Sequence, residues 1–333
     1  MSSLLTEKVV AALPGVLTPS TIYFVRVGTG FDIYVTNDQG QVVAYPLNNP
    51  AYIDLIEPNP AAPGADITRL FRRKKANRNF PGFIGASGSD SSLQPSIFGN
   101  KIGLWLPAGN AATAPGVFGY PVHNTLGGLT ARNVAVTNFF TRLRRLGYVS
   151  AITAGSFGGV RQAAAQFSVG NGAGLGGFFK VCRFGCSDAA PVAGARQFVG
   201  MAPPGVPTNV EPSTRGNVIG VGNGEADTTL QLFYGGTTPQ APIDLGVNFP
   251  ANTLSVDAYE LALFSPPGLL RTIHYEVTRL NTGHVASGTL SGTAVEVPGE
   301  DVLLTVMEAW RCNNATALAV GLDIIGDYIE TDN

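Results

Sequence analysis

Charge is scarce in this chain of 333 residues: 13% of positions are Asp, Glu, Lys or Arg, with 21 basic against 23 acidic side chains and a net charge of −2. Combined with 44% hydrophobic residues, this excludes disorder of the charged kind and a uniformly basic nucleic-acid binder. Cysteine is limited to Cys182, Cys186 and Cys312 without CxxC spacing, and histidine to His123, His274 and His284 in separate segments. Neither a zinc site nor a disulfide framework is expected, and the odd thiol count points to a reducing folding environment. GxSxG, HExxH and DxDxDG patterns do not occur, and the Gly28 to Gly30 and Gly172 to Gly174 glycines lie outside any strand-to-helix phosphate loop. The chain is therefore expected to use no cofactor or metal, to bind no nucleic acid and to be no enzyme. Apolar runs are too short for a membrane span, and Glu7 and Lys8 stand where a leader's apolar stretch would lie, so synthesis in a cytoplasm without membrane insertion is expected.

What is abundant is turn chemistry. Forty-two glycines and 23 prolines without a collagen period mean many turns and short strands. Alternating runs at residues 102–106, 178–184, 196–201, 229–234, 259–264, 273–280 and 317–329, separated by Gly/Pro/Asn clusters, predict a large antiparallel jelly-roll-like β-sandwich over 101–333. Residues 22–45 predict a β-meander with turns at Gly28 and at Asn37 to Gly40. Ahead of it, Leu5, Val9, Ala12 and Leu13 recur at helical spacing before Pro14 and Gly15, which predicts a short amphipathic helix. The fold class is thus all-β, with a short N-terminal helix and meander over residues 1–50. A small sheet cannot bury enough apolar area alone, so Leu5, Val9, Ala12, Leu13, Tyr23, Phe24, Phe31 and Ile33 are candidate docking and oligomerisation residues. A second helix is one reading of Val136 to Leu146, with Gly147 as its C-terminal cap.

Residues 51–100 have linker composition, yet hold six of the 21 basic residues between Arg69 and Arg78. The plain reading is a solvated linker; the alternative is a phosphate-contacting or acid-docking patch, with the acidic second half of a neighbouring copy as the partner if it docks protein. Residues 1–180 carry 15 basic and 7 acidic side chains, and 181–333 carry 6 and 16. Two acid pairs, Glu225 with Asp227 and Asp257 with Glu260, are the closest approach to a polysaccharide-cleaving constellation; turn acids explain the first more simply. Tyr120 and Tyr234 sit at loop margins and are candidate receptor-binding residues.

The runs Ile22 to Asn37, Asn100 to Pro107, Arg142 to Val149, Gly177 to Cys186, Asp257 to Phe264 and Tyr275 to Gly283 resemble the connector and C-terminal domain of tailed-bacteriophage tail fibres. This resemblance implies a virion appendage made in the host cytoplasm, usually a homotrimer. Its N-terminus would dock onto other virion proteins of tail or head, and its lectin-like sandwich would contact a host surface glycan or protein. The short stretch before the meander favours a stubby fibre. A head-decorating or particle-stabilising appendage is the alternative within that class, and a carbohydrate-binding or polysaccharide-degrading protein lies outside it.

Overall fold

The structure, a computed structural model, describes residues 6–27, 30–44, 60–61, 63–64, 67–85, 90–92, 101–113, 119 and 123–331. Two large antiparallel sheets face each other. The front sheet runs Gly128–Arg132, Arg145–Val149, Gly321–Thr331, Phe178–Cys186, Tyr259–Ser265, Thr272–Arg279 and His284–Ser291. Lys101–Trp105 pairs the far half of the long Gly321–Thr331 strand, continuing below Arg145–Val149. The back sheet runs Ile243–Asp244, Gln231–Gly235, Val218–Asn223, Arg196–Met201, Glu308–Cys312, Phe157–Gln162 and His123–Leu126. Alternation sends one face of each strand inward, and Trp105, Tyr148, Phe184, Val199, Ile219, Leu261, Leu322 and Ile324 join one buried core between the sheets. The expected β-sandwich is the observed architecture.

Apolar packing is not confined to the space between the two sheets. On the back sheet, Phe198, Phe233, Trp310 and Cys312 form a second apolar cluster. Arg215 lies 5.0 Å from the Phe198 ring centre and 6.0 Å from that of Trp310, while its guanidinium binds both oxygens of Glu308 at 2.5 and 3.0 Å. Glycine inside strands makes this packing possible: a Cβ on Gly159 would stand 2.3 Å from the Ala309 carbonyl oxygen and 2.6 Å from the Trp310 Cα. One end of the inter-sheet core is tied by a buried pair, Arg311 donating from Nε and Nη2 to Asp188 at 2.8 to 3.0 Å. Arg311 also reaches Gln197 and Asn223, and Asp188 accepts from Asn252 and the Gly321 amide.

Three sequence expectations are corrected. The N-terminal segment is no helix: Thr6–Val10 is a strand, parallel to Thr21–Val27 in the register Thr6↔Thr21 to Val10↔Val25. Thr6, Val9 and Val10 are β-branched and favour a pleat, and a free three-turn helix is marginal where a strand edge stands open beside it. The second predicted helix shrinks to one turn, Phe139–Arg142, with Asn138 and Thr141 capping each other. Gly147 then lies within the strand Arg145–Val149, because Arg145 is drawn to Asp323, with Nε to Oδ2 at 2.9 Å. The basic run is no solvated linker: Thr68–Lys75 and Arg78–Gly85 form a hairpin, extended by Asp90–Ser92. Phe71, Arg73 and Lys75 share one face of the first strand, and Arg78 and Phe80 share one face of the second, a pattern that composition had concealed.

Candidate assembly and recognition surfaces

The N-terminal sheet contains Thr6–Val10, Thr21–Val27, Gly30–Thr36 and Val42–Ala44. Register places Val9, Phe24 and Ile33 in one row across three strands. That row faces outward: Val9 is 82% exposed, Ile33 is 40% exposed and Phe24 is half-buried. Tyr23 lies on the opposite face and is buried, its hydroxyl accepting from the Thr18 amide at 2.6 Å. Thr21, Tyr23, Val25 and Thr36 are buried in this sheet, whereas Glu7, Val9, Arg26 and Ile33 are exposed and Ile22, Phe24, Tyr34 and Val35 are half-buried. The structure thus brings together three of the candidate docking residues and sets Tyr23 apart from them. Ala12 is exposed and Leu13 half-buried beyond the first strand, Phe31 lies within Gly30–Thr36 in register with Arg26, and Leu5 lies outside the described residues.

The basic hairpin docks by its tip on the outer face of the front sheet. Ala76 and Asn77 make a two-residue turn with φ of 41° and 62°, the twist that closes a tight hairpin. The buried Ala76 tolerates this left-handed geometry with its amide donating to Glu276 Oε2 at 3.2 Å. Beside it, Lys75 Nζ pairs with Glu260 at 2.7 Å and Glu276 at 2.6 Å, and donates to Thr278 at 3.0 Å. Arg78 pairs with Glu330 and lies 4.7, 4.9 and 5.8 Å from the ring centres of Phe80, Phe179 and Phe264. Register explains the landing site, since Glu330, Phe179, Phe264 and His274 fall in one cross-strand row. Burial raises the Glu260 carboxyl, but the Lys75 and Arg183 cations outweigh that and hold it below its ordinary value. For Lys75 and Arg78 the acid partners therefore lie in the same chain.

The acid pairs singled out from sequence serve as anchors. Glu225 and Glu211 share Arg196, each at 2.7 Å, while Asp227 accepts from the Gly224 amide at 2.7 Å. They line an open cleft of about 440 Å³ with Ser213 and Phe233. Asp257 is buried against Arg279 at 2.8 Å and Asn281 at 2.5 Å, and Glu260 belongs to the hairpin clamp. His274 is buried beneath the hairpin, its Nδ1 at 2.8 Å from Thr289 Oγ1. Burial, and then Lys74, lower its pKa. His123 faces the Tyr148 hydroxyl at 3.2 Å, and burial pulls its pKa down to about 4. His284 is exposed, and the three cysteines are buried free thiols. Among the described residues no group of His, Cys, Asp and Glu is arranged to hold a metal.

Of the receptor candidates, Tyr234 is half-buried against the main core, and Tyr120 lies outside the described residues. Sequence reasoning missed a patch at one end of the sandwich, where Leu175, Leu269 and Leu270 are exposed. The Gly172 and Gly174 amides donate to the Pro267 carbonyl at 3.1 and 3.2 Å, joining two loops there. Its signal was a leucine within each of two Gly/Pro-rich turns, which reads as loop until the turns meet.

No protein-family model matches the chain, and no curated protein matches it. Among solved structures it is similar to a protein of unknown function from Shewanella oneidensis, at 11% identity and a TM-score of 0.42, covering 72% of this chain and 89% of that one. It is also similar to lectin II from Ulex europaeus, at 10% identity and 0.42, covering 63% and 92%. Arcelin-5, a lectin-like defense protein from Phaseolus vulgaris, follows at 6% and 0.43, covering 70% and 99%. Likeness at this level says nothing of ligand or activity.

Proposed function

We propose that this chain is a non-catalytic virion appendage, a short trimeric tail fibre of a tailed phage. Copies associate and dock through the N-terminal sheet, and the sandwich is presented outward to a host surface glycan or protein. The observation that carries this reading is the row Val9, Phe24 and Ile33 on an outward face of a sheet whose buried apolar side chains, among the described residues, are Tyr23 and Val25. A sheet this thinly packed gains its stability from another layer, and further copies of the same chain supply one without a second gene product. The sandwich needs less such help, having a large buried core between its sheets and a second apolar cluster on the back sheet. The run-by-run resemblance to fibre connectors supports the virion setting. Three joined copies would turn weak single contacts at the sandwich into firm attachment.

Location on the particle tests this. An antibody raised against the purified sandwich should label an appendage of intact particles and block their adsorption to host cells. Recovery of the chain only in the soluble fraction of lysed cells, with purified particles unlabelled, refutes it.

A further inference from the structure

The inner face of the front sheet carries an ion pair unlike the others. Lys180 and Asp327 contact each other with both side chains 0% exposed. Lys180 lies between Phe178 and Cys182 on the core-facing side of its strand, and Asp327 stands across from Cys182 on one neighbour and Trp105 on the other. Lys180 and Asp327 are thus a diagonal cross-strand pair, close enough for a long side chain to span. Trp105, Leu261, Leu263 and Ile329 surround them in the main core. Cys182 hydrogen bonds to Asp327, and its thiol is kept protonated by burial and by that carboxylate.

Elsewhere the buried cation is a guanidinium, as in Arg311 with Asp188, which is no nucleophile. Lys75 is the other clamped amine, but its side chain remains 20% exposed. Only at Lys180 does an amine meet a carboxyl group in a dry interior, among the described residues. Burying an ion pair away from water is costly, and condensation to an amide replaces the two charges with one neutral group.

We propose that Lys180 and Asp327 become joined by an intramolecular isopeptide bond. The Lys180 ammonium passes a proton to the Asp327 carboxylate. The free amine Nζ then attacks Cγ; the C–N bond forms, the C–OH bond breaks, and the hydroxyl leaves with an amine proton as one water molecule. No oxidant or co-reactant is consumed. The packed strands hold the reacting atoms in contact, which supplies the orientation, and the Cys182 thiol donates to the carboxyl oxygen on which negative charge develops. The bond would close a loop spanning 147 positions. It would lock Gly321–Thr331, the strand that pairs Arg145–Val149, Lys101–Trp105 and Phe178–Cys186. A protein pulled at one end would then be unable to unzip from the other.

Intact mass spectrometry of the reduced, denatured full chain tests this, after allowing for removal of the initiator Met. The mass should fall below that of the sequence by one water, with the Lys180 and Asp327 peptides recovered as one branched species after digestion. Lys180→Arg should restore the full mass. Asp327→Asn should lose ammonia instead and arrive at the same cross-linked mass. A wild-type mass equal to that of the sequence overturns the proposal, as does a lost water that persists in Lys180→Arg. Should either variant fail to fold, the branched peptide of the wild-type chain decides alone: its absence overturns the bond and its presence establishes it.

Discussion

Replacing Lys75 with methionine keeps the length of the side chain but removes the charge on which the hairpin clamp turns. In the folded protein that ammonium satisfies Glu260 and Glu276 at 2.7 and 2.6 Å, with side-chain exposures of 20%, 8% and 19% for the three groups. Exposed pairs contribute less than about 1 kcal/mol, while stripping one partner from a fully buried pair costs about 3–5 kcal/mol. This clamp lies between those limits. Arg183 still holds Glu260 at 2.5 Å and the Ala76 amide still reaches Glu276, so the loss should be about 2 kcal/mol. That corresponds to a rise of about 30-fold in the population with the hairpin lifted. Hydrogen exchange followed by mass spectrometry reads this population directly, and residues 68–85 should exchange faster while the back sheet is unchanged. Lys74→Met is the control, because Lys74 is exposed on the same hairpin. Equal exchange in the Lys75 variant and the wild type would refute the clamp. The clamp also has a pH sign. Since Glu260 is held below its ordinary value of 4.5, its contribution is complete above that value and is lost as pH falls through the lowered one.

Two further outcomes follow from the core. Asp188→Ala should destabilise the sandwich by about 3–5 kcal/mol, because Arg311 would be left buried without its counter-charge; chemical denaturation measures it, and a loss under about 1 kcal/mol would contradict the buried pair. His123 is neutral in the fold, with a pKa near 4 against an ordinary 6.5. The unfolded chain therefore takes up a proton first, and stability should decline as pH falls from 6.5 to about 4 and draw no further loss from this group below that. Melting curves across that interval should be flatter in His123→Gln, and an identical slope would count against the assignment.

Much of the fold was legible in the sequence, and the parts that were not share a physical cause. Alternation marked Phe178–Cys186, Arg196–Met201, Tyr259–Ser265 and Thr272–Arg279 within a residue or two, since period-2 burial leaves a local trace. Val218–Asn223 left none, because Gly220 and Gly222 occupy strand positions where a Cβ would strike the neighbouring Val199 and Gln197 carbonyls. In composition they look like turn residues. The same difficulty hid the hairpin: Lys75 and Arg78 read as solvated charge, and only the folded sheet places Glu260, Glu276 and Glu330 opposite them. At the N-terminus the i, i+4 spacing of Leu5 and Val9 suited a helix, yet the open edge of Thr21–Val27 offered backbone partners along a whole strand. Of the docking candidates chosen on apolar spacing, Val9, Phe24 and Ile33 came to share a row because strand register aligned them. No one-dimensional period could supply that alignment.

Assembly through the N-terminal sheet is the claim on which the account rests, and molar mass in solution by light scattering tests it most directly. The full chain, of 34.7 kDa, should scatter as a trimer. Val9→Asp combined with Ile33→Asp, or deletion of residues 1–44 with the hairpin retained, should give a folded monomer. A wild-type monomer at micromolar concentration, or a trimer that survives both changes, would contradict it.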